Sequence, residues 1–538
     1  MSRNVGGYLV ELLGKNGIDT VFGIPGVHNL ELYRGLAASN LRHVLVRHEQ
    51  GAGFAADGFA RLSGRPAAAF VISGPGLTNI MTAAAQAYSD SVPLLVVAAA
   101  PVRASFKKQW GVLHELYDQG ALAAGVFGIA RSAHTAEDVR DHLRLCLASL
   151  RTGRARPAYL EIPLDVLAET TTLEARRFED EPLLPQAGAD QIAAAVRMLA
   201  AAARPLIIAG GGARRAAAEL TRLVEVLDCP LVTTAAGKGI LPASHPANFG
   251  TSLPYLPIQQ LISEADVVLA VGTELGETDM YFTTRLPLGG QLIRVDVDPV
   301  KLSDQYAADV CVWSDASAAL NSINQALTAR SIDAAAHSGW RTAIGGPAKF
   351  RAEIEAKLDA KTLAQWSALL AIKNALPADG VVFTDMTQIA YFGNYAYPVD
   401  NPGQWFHPSG YGTLGFALPA ALGAKVSSPA RAVVALAGDF GLQFTLNDLM
   451  TAVEAGLSLP IVVWNNSALG QIRDDMVAAG IPPLGVIGRN PDFVALARAY
   501  GAEGYRVRDA AALTDAISTA LTYPGPTLIE AIASSFEK

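Results

Sequence analysis

Short unbroken apolar runs alternate along this chain with longer stretches in which apolar positions recur every three or four residues. Such runs read as buried strands of parallel sheets, and the periodic stretches as helices laid on them. In the first block, strands are expected over 43–48, 67–73, 92–100 and 158–162, with helices over 51–62 and 77–88. Residues 1–15 read as an amphipathic helix with Val5, Leu9, Val10, Leu12 and Leu13 on its apolar side. A second block carries strands over 205–209, 230–234, 266–272 and 291–297, with a glycine run at 210–212. A third carries them over 381–385, 432–438, 460–465 and 527–531. A polar, acidic, proline-containing stretch (170–189) and a second one (331–362) read as connections. The expected fold is α/β, with three doubly wound parallel-sheet domains spanning 1–169, 190–330 and 362–538.

Composition narrows the function classes. At 538 residues the chain exceeds what one core can organise. Its 51% apolar and 17% charged content suits large buried cores. A net charge of −8 with no basic run argues against nucleic-acid or anionic-membrane partners. The three cysteines, Cys146, Cys229 and Cys311, are far apart and include no CxxC pair, which points to a reducing compartment. No signal-peptide pattern opens the chain and no apolar stretch is long enough to span a bilayer, so the expected location is cytoplasmic.

The chemistry concentrates in the third block. There an apolar run ends in Gly438-Asp439-Phe440-Gly441, a helical stretch follows, and a second run ends in Asn465-Asn466, with Asn466 27 residues after Asp439. Two adjacent parallel strands would put the Asp and the Asn side by side at the sheet's carboxyl edge, where open α/β sheets bind ligands. A carboxylate and an amide oxygen are hard donors suited to Mg²⁺. Glycines and a helix amino terminus suit a diphosphate. Taken alone, GDFG reads better as an ordinary strand-to-helix turn with Asp439 as a cap, a reading that loses ground beside Asn465-Asn466. In the first block, Arg47-His48-Glu49-Gln50-Gly51 joins a strand to a helix start. Glu49 there is either a helix amino-terminal charge or a carboxyl group beside a nitrogen heterocycle.

With both motifs in order, the chain resembles the thiamine-diphosphate-dependent enzymes, whose signature couples a GDG turn to a following NN pair. The resemblance covers nearly the whole chain and implies pyrimidine-binding, central and diphosphate-binding domains. It implies that Mg²⁺ is held by Asp439, Asn466 and the carbonyl of Ala468, and that Glu49 activates the cofactor through its aminopyrimidine. Cofactor contacts implied by the resemblance are Gly26, Gly74, Pro75, Asn79, Thr387, Gln388, Gly412, Leu414, Gly438, Phe440, Gly441, Leu469 and Gly470. Leu414 stands where the family supports the thiazolium ring. Phe440 departs from the family, many of whose members have glycine there.

The family builds its site between subunits, which implies a homo-oligomer, a dimer at the smallest and a tetramer as the expected assembly. Acetohydroxyacid synthases bind FAD through an arginine-and-aspartate segment in the central domain. Residues 272–278 lack that pattern, so FAD is not expected. Within the family, the stretches GIPGVHNLELYRGL, LHELYDQ, HPSGYGTLG and GQIRDDM are most similar to 5-guanidino-2-oxopentanoate decarboxylases.

That similarity implies a small 2-oxo acid as substrate, decarboxylated through an enamine, with His28 and His114 as acid–base groups. Gln471, Asp474 and Asp475 become candidates for the substrate side, where a carboxylate could pair with a guanidinium. Other readings stay open: both histidines as structural residues, the two aspartates as decoration of a solvated helix, an acetolactate synthase-like or other carboligase or lyase forming or cleaving a 2-hydroxy ketone, and a non-catalytic nucleotide-binding relative.

Overall fold

The computed structural model describes residues 3–179, 183–281, 283, 285–330 and 340–537. Residues 180–182 and 331–339, in the two expected connections, and the first two residues of the expected amino-terminal helix lie outside these. The helix itself, α1 (Val5–Lys15), begins only after Asn4. The Asn4 side-chain oxygen accepts the Gly7 N–H at 2.8 Å and so caps the first turn. Arg3–Asn4 instead pairs antiparallel with Thr170–Thr171, so the expected connection at 170–189 opens as ordered strand.

By its internal contacts the chain divides into two compact units, one of 1–182, 375–388 and 411–535, the other of 183–374, 389–410 and 536–538. The first unit holds two sheets. In the amino-terminal sheet, β1 (Thr20–Gly23), β2 (Arg42–Leu45), β3 (Ala67–Val71), β4 (Leu94–Ala100), β5 (Ile129–Ser132) and β6 (Ala158–Pro163) run parallel in the order β2-β1-β3-β4-β6-β5. The chain leaves β1 towards one edge and later fills the other side from β3. The crevice between the carboxyl ends of β1 and β3 is therefore a topological switch point, the usual place for a ligand.

The second unit holds the central sheet. Here β7 (Pro205–Ala209), β8 (Leu231–Thr233), β9 (Val267–Val271), β10 (Gln291–Asp296) and β11 (Val310–Trp313) run parallel in the order β8-β7-β9-β10-β11. Apolar side chains cover both faces, as a fully parallel sheet requires. Back in the first unit, β12 (Val381–Thr384), β13 (Val433–Gly438), β14 (Leu459–Asn465), β15 (Glu503–Val507) and β16 (Pro526–Ile532) are five strands of a third sheet and run parallel in the order β12-β13-β14-β16-β15. The three sheets make this an α/β protein of three parallel-sheet domains. Among the described residues no helix is long and apolar enough to cross a membrane.

Two helices join the outer sheets within the first unit. On α2 (Glu49–Ser63), a carbon added at Gly58 would lie 1.9 Å from the carbonyl oxygen of Ala420 on α4 (Ala417–Ser427); α3 (Pro75–Ser89) lies between them in sequence. One added at Gly423 would lie 1.8 Å from the carbonyl oxygen of Ala55. The crossing is thus backbone against backbone, which only small residues allow. Beside it, buried Arg61 binds Asp57 (2.5 Å) and Asp90 (2.7 Å) and lies over the Phe416 ring.

Candidate active site

Glu49 is the first residue of α2, and its carboxylate accepts a hydrogen bond from Asn79 Nδ2 at 2.9 Å. Asn79 lies one turn into α3, which Pro75 opens in the position where its missing N–H costs nothing. Gly74 just before it has φ +62°, and an added carbon there would meet the His114 carbonyl oxygen at 2.4 Å. Its N–H binds Gln119 Oε1 (2.9 Å), whose amide in turn binds the carbonyl of Ala99, the Tyr159 hydroxyl and the buried Glu161. The turn after β3 is therefore fixed by a buried polar network.

His28, in the loop after β1, bonds through Nδ1 to the Ser73 hydroxyl and packs edge-on against His114, ring centroids 4.7 Å apart. Burial, and then the neighbouring His114, push the His28 pKa below its ordinary value, so the ring is neutral near pH 7. His114 adopts φ +62°, uncommon for a residue with a side chain, and its Nδ1 is buried without a partner. Gly26 lies in the same loop, its N–H bound to Asn29 Oδ1 at 2.8 Å. Both histidines, the glycine turn and Asn79 thus sit at the switch point between β1 and β3.

At the third sheet, Gly438 pairs with Trp464 across β13 and β14, so Asp439 and Asn466 leave the sheet on neighbouring strands. Asp439 is 2% exposed. Burial raises its pKa, opposed by a hydrogen bond from Asn490 and by backbone N–H groups including that of Ser467. Ser467 takes φ +54°, which turns the chain so that residues 467–469 face the loop at 486–488. That loop is tied down by bonds from Leu469 N to Val486 O (2.8 Å) and from Gly488 N to Ser467 O (3.3 Å).

Phe440, the departure from the family pattern, lies against Gly488, where an added carbon would be 2.7 Å from its ring. The missing side chain at 488 makes room for the extra one at 440.

Thr387 and Gln388 follow β12 and reach the same edge. A carbon added at Gly438 would lie 2.9 Å from Thr387 Oγ1, and one at Gly470 2.4 Å from Gln388 Oε1 and 2.6 Å from Asn466 Nδ2. Gln388 Nε2 donates to Asp474 (2.8 Å) and, more weakly, to Gln471 (3.5 Å), both on α5 (Gly470–Ala478). Asp474 also binds Arg473 at 2.9 Å. Asp475 is exposed and accepts from Gln471 at 2.9 Å. Of the two aspartates, Asp474 is the one bonded to the turn after β12.

Three residues at the candidate site carry no role in the sequence reading, although Asp385 opens the Asp385-Met386-Thr387-Gln388 turn that resembles a diphosphate contact. Asn490 donates through Nδ2 to both Asp439 (2.6 Å) and Asn465 (2.9 Å), from a loop with no periodicity to mark it. Asp385 is fully buried and accepts the N–H groups of Met386 (2.8 Å) and Gly415 (3.0 Å), with further bonds from Phe416 and Ala417. Burial pushes its pKa up to about 6, and it anchors the loop carrying Gly412 and the half-buried Leu414. Asp448 accepts the Arg47 N–H at 2.8 Å, just before Glu49, while its Oδ2 is buried without a partner. With polar Thr445, Asn447 and Thr451 around it in sequence, nothing local marks Asp448 as buried.

The donor set at the third sheet fits a magnesium ion. Asp439, the Asn466 amide oxygen and the Ala468 carbonyl are hard oxygens, and a carboxylate this buried is costly without a cation. Among the described residues no group of three or more His, Cys, Asp or Glu could hold a metal, so any metal here rests on the mixed set.

Family models match the whole arrangement. Residues 3–122 match the thiamine pyrophosphate enzyme N-terminal TPP binding domain, 192–323 its central domain and 385–531 its C-terminal TPP binding domain. The probable 2-ketoarginine decarboxylase AruI of Pseudomonas aeruginosa is 47% identical over 97% of this chain and 92% of its own length. The large subunit of acetolactate synthase isozyme 3 of Escherichia coli is 30% identical over 95% of this chain and 91% of its own. That of isozyme 1 is 28% identical over 99% and 94%. On these matches the chain belongs to the thiamine pyrophosphate enzyme family.

Proposed function

We propose that this protein is a thiamine-diphosphate- and Mg²⁺-dependent decarboxylase of a 2-oxo acid, with 5-guanidino-2-oxopentanoate (2-ketoarginine) as its substrate. The observation that carries the reading is the buried Asp439 beside Asn466, clamped by Asn490, at the edge of a domain matching the family's C-terminal TPP binding model. Asp439, Asn466 and the Ala468 carbonyl would hold Mg²⁺. Thr387, Gln388, Gly438, Gly441, Leu469 and Gly470 would surround the diphosphate. Gly26, Gly74, Pro75 and Asn79 would line the pyrimidine side, and Leu414 with Gly412 and Phe440 would flank the ring between. When bound, thiamine diphosphate supplies the carbon nucleophile and the electron sink that loss of CO₂ from a 2-oxo acid requires.

The chain's own residues supply orientation and proton handling. Glu49, held by Asn79, can take and return a proton at the aminopyrimidine. His28, neutral through burial and with Nδ1 engaged by Ser73, keeps Nε2 for proton transfer to or from substrate, and His114 stands against it. Asp474 is the carboxylate for a guanidinium tail, with Gln471 and Asp475 beside it.

A homo-oligomer, dimeric at least and tetrameric in full, is supported by the large apolar side chains exposed around both half-sites: Val27, Trp110 and Leu113 at the first, Phe444, Leu484 and Ile487 at the second. Free cysteines agree with a cytoplasmic location. We propose no flavin, since the central glycine run packs on its own chain.

The test is CO₂ release from a panel of 2-oxo acids with product identification. Release should be highest with 5-guanidino-2-oxopentanoate and should fall about 10²–10⁴-fold in Glu49→Ala. Unchanged release in that variant would overturn the activation role. Acetolactate from pyruvate, without aldehyde, would favour the carboligase reading that the 28% and 30% identities to acetolactate synthases keep open.

A further inference from the structure

The second unit contains a cavity of about 250 Å³ that the site above does not use. It is lined by Lys238, Arg351, Glu355 and Tyr395, with Phe249, Trp366 and Tyr397 among its walls. Lys238 is buried, and its ammonium donates to the carbonyls of Asn394 (2.6 Å) and Tyr395 (3.2 Å), leaving a third N–H without a protein partner among the described residues. Arg351 donates to the Ala243 carbonyl at 3.2 Å, and no described carboxylate pairs with it. The Tyr395 hydroxyl is buried with no hydrogen-bond partner. Buried donors left over in this way are rare unless something else satisfies them.

We propose that this cavity binds a small organic carboxylate, whose oxygens take hydrogen bonds from Lys238, Arg351 and the Tyr395 hydroxyl. With Lys238 protonated, it and Arg351 against Glu355 leave one net positive charge, which matches a monoanion and disfavours a phosphate dianion. The aromatic walls suit a planar or apolar body, and the volume admits a molecule of benzoate size.

Protonation couples to occupancy. Burial, and then the charge of Arg351, hold the Lys238 pKa down to about 7. Tyr395 and Tyr397 stay neutral, burial raising both phenols. Of the charged groups around Lys238, Arg351 acts on its pKa and Glu355 interacts with Tyr395. A bound anion favours the ammonium, so binding takes up a proton, and affinity falls as pH rises through the free Lys238 value.

The experiment is calorimetric titration of the full-length protein, loaded with thiamine diphosphate and Mg²⁺, with sodium benzoate. The expected result is a saturable site that weakens about tenfold or more between about pH 6.5 and 8.5. Lys238→Met and Arg351→Gln should each lose that site while CO₂ release persists. If Lys238→Met fails to fold, Arg351→Gln carries the decision. Absence of saturable binding below about 10 mM would overturn the proposal. So would affinities unchanged in the folded variants, or displacement by inorganic phosphate as effective as by benzoate.

Discussion

The carboxyl edges of the central and third sheets carry the same kind of glycine-rich turn and use it in opposite ways. In the central sheet, the run at 210–212 meets the turn after β9. A carbon at Gly210 would lie 2.4 Å from the Gly272 carbonyl oxygen, and Gly212 N binds that same oxygen at 3.0 Å. Arg294, buried beneath, binds the carbonyls of Thr273 and Tyr306 and the carboxylate of Asp304. Backbone meets backbone, and the crevice at the switch point between β7 and β9 is closed by the chain itself. In the third sheet, Gly438, Gly441 and Gly470 face side chains: Thr387, Asp385, Gln388 and Asn466. A glycine run therefore reports close approach, and only its neighbours tell whether a ligand or the protein makes it.

That contrast can be broken by substitution. The largest expected effect is Asn490→Ala, which frees Asp439 from its outer partner. Apparent Mg²⁺ affinity, read from activity against metal concentration, should fall about 10–100-fold with the melting temperature nearly unchanged. Next, Gly210→Ala should destabilise the protein by about 1–3 kcal/mol, because backbone must move, and leave thiamine diphosphate affinity as it was. Gly438→Ala should cost less stability, because it meets one side chain (Thr387 Oγ1 at 2.9 Å and Cβ at 3.1 Å) rather than backbone, and should weaken thiamine diphosphate binding. Equal effects of the two glycine changes on stability would erase the distinction.

The smallest effect concerns Asp448, whose pKa burial pushes up to about 6. A carboxyl raised above its unfolded value gains protons on folding, so its contribution to stability grows as pH falls from above 6 towards about 4. Asp448→Asn should therefore gain relative stability at about pH 8 and lose that advantage at about pH 5. The change is on the order of 1 kcal/mol, read from denaturation midpoints.

Sequence patterns told most where one strand is buried on both faces. The runs that became β3, β4, β6, β7, β13 and β14 were visible because every residue of each is apolar or small, or nearly so. Ile129–Ser132 and Glu503–Val507 were not, because edge strands keep one side in water and owe their shape to a single neighbour. Thr20–Gly23 is fully buried, yet four residues leave too little pattern to read.

Site residues followed the same logic. Glu49, Asp439 and Asn466 stand at strand or helix ends where a motif marks them. Asn490 and Asp448 act through folding that brings distant loops together, and no local spacing encodes that. The pairing of Phe440 with Gly488 is a further case: each looks arbitrary until the other is seen.

The crossing of α2 and α4 has its own implication for engineering. Where two helices touch through peptide groups, as at Gly58 and Gly423, no rotamer can flex to absorb an error. One methyl group at position 58 or 423 would be transmitted along two rigid rods, to Glu49 at one tip and to the Leu414 loop at the other. With the proposed roles of Glu49 and Leu414, catalytic alignment is thus vulnerable at positions bearing no chemistry whatever.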